Sequence, residues 1–203
     1  MKRYAKLAVI ATALILSSAS TVAQEASWKS SYELETAGKY NEAIVAIDRV
    51  AANGPDAELK AIRRGWLYYL LGNFNDSIRE YRLAIDRSGR SIDARLGVTL
   101  PLLAQKRWRE AEQSARTVLD MAPNNYTALL RLTIAQEGQR DWTSMAKTAA
   151  TLVAAYPTDA SAYVYLARAN AWLLKTDETI AAYTAVLSRY PGHLEAKAYL
   201  EKK

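Results

Sequence analysis

Few side chains in this chain could do chemistry, and they do not assemble. His193 is the only histidine and there is no cysteine, so a zinc or haem site and a nucleophile–histidine–acid set lack the groups they need. Gly38-Lys39 is without the preceding glycine spacing of a phosphate loop. Glu110 and Glu112 stand two apart, which on a helix points them in different directions. We therefore expect no catalytic residue, no metal and no cofactor, and we expect His193, in a loop after Pro191-Gly192, to have no role. The chain's distinctive side chains are aromatic: five tryptophans and 13 tyrosines against one phenylalanine. Trp108 and Trp142 continue a column with Tyr40 and Phe74, each 34 residues from the next. Trp28, Trp66 and Trp172 lie outside that column. Burying roughly 200 Å² of one tryptophan is worth about 5 kcal/mol before association costs. If any of these three is exposed, it is a strong candidate for contact with another molecule.

The elements that position them repeat. Pro55, Gly89, Pro123, Pro157 and Pro191 are spaced 34 apart, and of the five prolines only Pro101 is out of phase. Helix-ending residues at a fixed spacing indicate one helical unit stacked several times rather than a globule around a cleft. With the lattice residue at position 32, the units cover 24–57, 58–91, 92–125, 126–159 and 160–193. Each holds a first helix of about 14 residues, a turn such as Ala37-Gly38-Lys39 or Leu71-Gly72-Asn73, and a second helix from about position 17 to position 30. Position 8 is small throughout (Ser31, Gly65, Thr99, Thr133, Ala167), and position 20 nearly so (Ala43, Ser77, Ala111, Met145, Thr179). Positions 20, 24, 27 and 28 share one face of a 3.6-period helix and should form the seam against the first helix.

This pattern resembles the tetratricopeptide repeat (TPR) family. Gly38-Lys39-Tyr40-Asn41-Glu42-Ala43-Ile44 and Gly72-Asn73-Phe74-Asn75-Asp76-Ser77-Ile78 are close to its turn motif, and the likeness runs from Gln24 to about Leu200. The resemblance implies an all-α, right-handed α-solenoid of about five 34-residue helix–turn–helix repeats, with residues 194–203 as a short C-terminal capping helix. It further implies a concave face lined by positions 2, 5, 9, 12 and 13 of the first helices. Trp28, Trp66 and Trp172 fall at positions 5, 9 and 13. The groove expected from the same positions comprises Trp28, Tyr32, Ile62, Trp66, Tyr69, Leu100, Ile134, Arg168 and Trp172, with Leu59 among its neighbours. The family's carboxylate clamp needs Lys at position 5 and Asn at position 9, and neither is present here. Arg63, Arg131 and Arg168 could offer charge to a ligand carboxylate, although scattered arginines are usually solvated. The expectation is a non-catalytic scaffold or adaptor that holds an apolar or amphipathic protein or peptide segment. The alternative is a self-assembling protein, a homo-oligomer whose groove is filled by another copy.

The N-terminus reads separately. Lys2, Arg3 and Lys6, the apolar run Leu7 to Leu16 and the small residues of Thr21-Val22-Ala23 have the layout of a signal peptide over 1–23. Ten apolar residues are too few for a span of about 20. The expected mature chain, 24–203, would be periplasmic or secreted and not membrane-spanning, the alternative being an anchor formed by an uncleaved leader. Loss of the leader removes three basic residues and no acidic one, lowering the formal charge from +6 to +3. The remaining charges interleave, as in Lys106-Arg107-Trp108-Arg109-Glu110, so no basic stripe marks a nucleic-acid partner. Pro101, at position 10 of the third unit, should kink its helix, either as a tolerated bend with Gly97 relieving the strain or as one that reshapes the inner surface at mid-stack.

Overall fold

The computed structural model describes residues 23–54 and 56–202. Residues 1–22, all but the last of the expected leader 1–23, lie outside the described residues, as do Pro55, the first proline of the lattice, and Lys203. All regular structure among the described residues is helical: α1 over 23–36, α2 Tyr40–Asp48, α3 Ala57–Leu70, α4 Phe74–Arg87, α5 Ile92–Ala104, α6 Trp108–Met121, α7 Tyr126–Gln139, α8 Trp142–Ala155, α9 Ala160–Trp172, α10 Thr176–Arg189 and α11 Leu194–Leu200. This is the expected all-α succession of helix–turn–helix pairs. No helix among the described residues is long and apolar enough to cross a membrane.

The punctuation works through backbone geometry. Proline disfavours helical backbone in the residue before it. Ala122, Tyr156 and Tyr190, which precede Pro123, Pro157 and Pro191, have ψ of 82°, 68° and 86° and end α6, α8 and α10. Second helices begin on the aromatic column at Tyr40, Phe74, Trp108 and Trp142. α10 begins at the equivalent Thr176, so the aromatic is not needed to start the helix. The turns between paired helices share a left-handed residue: Gly38 (φ 72°), Gly72 (φ 75°), Lys106 (φ 57°), Arg140 (φ 59°) and Leu174 (φ 58°). Glycine adopts this conformation freely, whereas other residues are strained in it.

One element departs from the expected bounds. The second helix of the first repeat ends at Asp48, five residues short of position 30. There the Lys60 ammonium, reaching from α3, donates to the carbonyls of Asp48 (3.0 Å) and Val50 (2.6 Å). Carbonyls at a helix C-terminus have no intrahelical donor and favour a cation. Burial of this ammonium pushes its pKa down, with Asp48 opposing the shift. Pro101 is buried within α5, which continues to Ala104.

The described chain forms two compact units, one ending at Ser91 and one beginning at Ile92. In the first, α3 packs on both α2 and α4; in the second, consecutive helices from α5 to α11 pack in turn, with α7 also against α5 and α9. The close-approach positions are as expected. Ser31, Thr99, Thr133 and Ala167 at position 8, and all five residues at position 20, are fully buried. At Gly65 an added Cβ would lie 2.8 Å from the Tyr81 ring, and the Ser77 hydroxyl donates to the Gly65 carbonyl at 2.7 Å. The expected seam needs one correction. Position 27 (Val50, Ala84, Val118, Leu152, Val186) is buried, but position 28 sits at the margin, with Ala51 exposed and Ile85, Leu119, Val153 and Leu187 half-buried. Position 28 is 800° around from position 20, an 80° offset that carries it off the seam.

His193 also departs from expectation. Its Nδ1 accepts from the Ala196 backbone N–H at 3.2 Å, capping α11. The equivalent slots hold Asn125, which caps α7 through Ala128 N–H, and Asp159, which caps α9 through Ser161 N–H. An imidazole nitrogen takes the place of the usual side-chain oxygen.

Candidate functional site

In the first unit, α1 and α3 carry the aromatic trough. Tyr32 lies one turn beyond Trp28 on α1, and Leu59, Ile62 and Trp66 follow one face of α3. Trp28 is half-buried against a core of Ala43, Ile44, Ile47, Val50 and Leu67. With Tyr32 and Leu59 it lines a cleft of about 600 Å³, bounded also by Gln24, Glu25, Asn53 and Asp56. A second cleft of about 440 Å³ is lined by Tyr32, Glu35, Thr36, Leu59, Ile62, Arg63 and Trp66. Tyr32 and Leu59 border both, and each is about half exposed. Tyr69 joins from one turn further on α3, its ring 5.7 Å from Trp66 and 5.9 Å from Phe74. The structure thus brings Trp28, Tyr32, Ile62, Trp66 and Tyr69 together.

Polar contacts fix the wall of this trough. The Trp66 indole N–H donates to Glu35 Oε1 at 2.6 Å. The other Glu35 oxygen accepts from Arg63, whose Nε and Nη2 also donate to the Ser31 hydroxyl (3.1 Å) and carbonyl (2.8 Å). The Arg63 guanidinium lies 4.0 Å from the Tyr32 ring centroid. It is only 4% exposed. Arg63 is therefore neither solvated nor offered to a ligand: it ties α3 to α1 and presents Tyr32. Charge near the trough comes instead from Glu25, Glu35 and Asp56. Glu25 and Glu35 occupy groove positions 2 and 12, so the positional rule contained them, while attention to apolar types passed over them.

In the second unit Leu100 and Ile134 are half-buried on α5 and α7. Arg168 is engaged by the protein itself. It makes a two-pronged contact with Glu195 (2.9 and 2.6 Å) and reaches Glu137 at 3.3 Å. Tyr183 completes the cluster by donating to Glu195 at 2.7 Å. The Arg168 hydrogen bond, with help from Tyr183, holds the Glu195 carboxyl below the usual glutamate range despite its partial burial. Burial and Glu195 push the Tyr183 phenol up. Arg168 therefore anchors α11 to α9 instead of supplying free charge. Arg131 likewise donates to the Thr99 hydroxyl at 2.8 Å and to the Leu96 carbonyl.

Trp172 is 65% exposed and stacks on Trp142, with centroids 5.0 Å apart and planes within 4°. The same register one repeat earlier places Gly138 against Trp108, where an added Cβ would meet the indole at 2.5 Å. Each position-13 residue here leans on the column aromatic of the preceding repeat. The column was legible in the sequence, but its role as a stacking platform was not.

Residues 161–193 match the family model described as Tetratricopeptide repeat. No curated protein matches the chain. Among solved structures, the fold is similar to MamA residues 41 to the end from Desulfovibrio magneticus RS-1, at 16% identity and a TM-score of 0.73, covering 85% of this chain and 97% of that one. A MamA RS-1 double mutant gives 15% identity, a TM-score of 0.75 and coverage of 89% and 98%. YrrB, described as a TPR protein with an unusual peptide-binding site, gives 11% identity, a TM-score of 0.73 and coverage of 86% and 90%.

Proposed function

Starting from a chain that is a tetratricopeptide repeat protein by fold, we propose that it is a non-catalytic scaffold, exported to the cell envelope, that holds an apolar or amphipathic segment of a protein partner. The observation that carries this reading is the trough of Trp28, Tyr32, Leu59, Ile62 and Trp66. Tyr32 and Leu59 are about half exposed, with Trp28, Ile62 and Trp66 partly exposed beside them, and adjoining apolar side chains left open to solvent are the usual mark of an interaction surface. The peptide-binding description of YrrB supports the same reading. Helix-in-groove capture fits a trough walled by two helices. The test compares partners recovered from an envelope fraction by the wild-type protein and by Trp66→Ala. Loss of specific partners from the variant is expected, and identical recovery would remove the groove from the mechanism. For export, N-terminal sequencing of the mature protein should read Gln24-Glu25-Ala26. Recovery of chain beginning at Met1 in the membrane fraction would replace export with anchoring.

A further inference from the structure

We infer that the trough of the first unit selects a cationic amphipathic segment, one that presents lysine or arginine beside large apolar side chains; this rests on the groove reading above. Three observations point to it. First, the cleft beside Trp28 and Tyr32 is bordered by two carboxylates, Glu25 and Asp56, and by no basic side chain. Asp56 accepts one bond from Gln24 Nε2, at 2.5 Å, and neither carboxylate has an ion-pair partner among the described residues. Second, three of the nearby cations are directed elsewhere, while Arg49 lines the adjoining cleft on the other side of Gln24 and not this one. Arg63 is bound to Glu35 and Ser31, Lys29 pairs with Glu33 at 3.8 Å, and the Lys60 ammonium is turned to the carbonyls ending α2. Third, the walls are aromatic, and ring faces carry negative potential that attracts ammonium and guanidinium groups. A partner carboxylate entering this cleft would meet two like charges with no counter-ion.

The size of the partner follows from the geometry. From Glu25 to Glu35 the trough runs about 15 Å along α1 at the helical rise. That length takes about ten residues of helix or four to five extended residues. Specificity would arise from one or two cationic groups at the Glu25–Asp56 end, and affinity from apolar side chains against Leu59, Ile62 and Trp66.

Calorimetric titration of the whole protein with two blocked 11-residue peptides tests this. Both carry leucines in helical register, one with lysine and the other with glutamate at the remaining positions. The lysine peptide should bind at least ~tenfold more tightly at low ionic strength, and the difference should shrink with salt. In Glu25→Gln/Asp56→Asn, circular dichroism should be unchanged and the preference should fall to within about twofold. Equal affinity for the two peptides, a preference for glutamate, binding of neither, or a preference that survives the double variant each overturns the inference. These outcomes leave the groove reading standing if Trp66→Ala still loses its partners. Undiminished binding of the lysine peptide to Trp28→Ala and Trp66→Ala would instead remove the groove itself.

Discussion

Leu174 is 87% exposed and stands at φ 58°, in the turn where the first two repeats use Gly38 and Gly72. A left-handed backbone costs a leucine roughly 1–2 kcal/mol and a glycine almost nothing. The greater freedom of glycine in the unfolded chain offsets part of that gain. Leu174→Gly should therefore stabilise the protein by about 1 kcal/mol, read as a rise in thermal midpoint. An unchanged or lower midpoint would mean that the leucine has contacts that compensate its backbone. Gln136 presents a different cost. It is fully buried, and neither end of its amide has a hydrogen-bond partner. The same slot holds Leu34 and Leu102 in the first and third repeats. An unmade buried hydrogen bond costs about 1–3 kcal/mol, so Gln136→Leu should raise the urea midpoint with little change in slope. A fall would show that the amide fills its space better than the branched side chain.

At the scale of elements, α11 is held by its His193 cap, by Glu195 accepting from Arg168 and Tyr183, and by Ala196, Tyr199 and Leu200 packed against the core between α9 and α10. Arg168 and Tyr183 lower the pKa of Glu195 in the folded chain relative to the unfolded one. That linkage contributes stability above the ordinary glutamate range of about 4.3, and it disappears as pH falls through the lowered folded value. Hydrogen exchange should accordingly show α11 losing protection below about pH 4. Glu195→Gln should flatten that dependence, and an unchanged pH profile in the variant would locate the effect elsewhere. Element boundaries were largely legible because proline and the left-handed turn act on their own neighbours in the chain. The end of α2 was not: its last carbonyls are met by Lys60 from the next helix, a contact that no local signal in the chain announces. The aromatic lining of the two clefts in the first unit was legible by position and residue type. Arg168 and Trp172 were placed at groove positions but are committed to Glu195 and Trp142, partners set by packing that periodicity does not report.

For the molecule as a whole, two arginines do what the small-residue positions cannot. Close packing at positions 8 and 20 recurs in every repeat, so it would accept any repeat as a neighbour. Arg63 and Arg131, both at position 6, instead reach back to a hydroxyl at position 8 of the preceding repeat, Ser31 and Thr99. The fifth repeat has Tyr165 where the fourth has Arg131, and its own position 8 is Ala167. If residues 126–159 and 160–193 traded places, Tyr165 would face Thr99 and Arg131 would face Ala167, a methyl group with nothing to accept its bond. A chain so permuted should keep its helical spectrum and unfold at lower urea, and an unchanged midpoint would show that the repeats are interchangeable. Repeat order is then itself inherited information. Recombination between repeats that look equivalent on paper would be filtered by side chains that tie one repeat to the next, and this confines change within the stack to substitution in place.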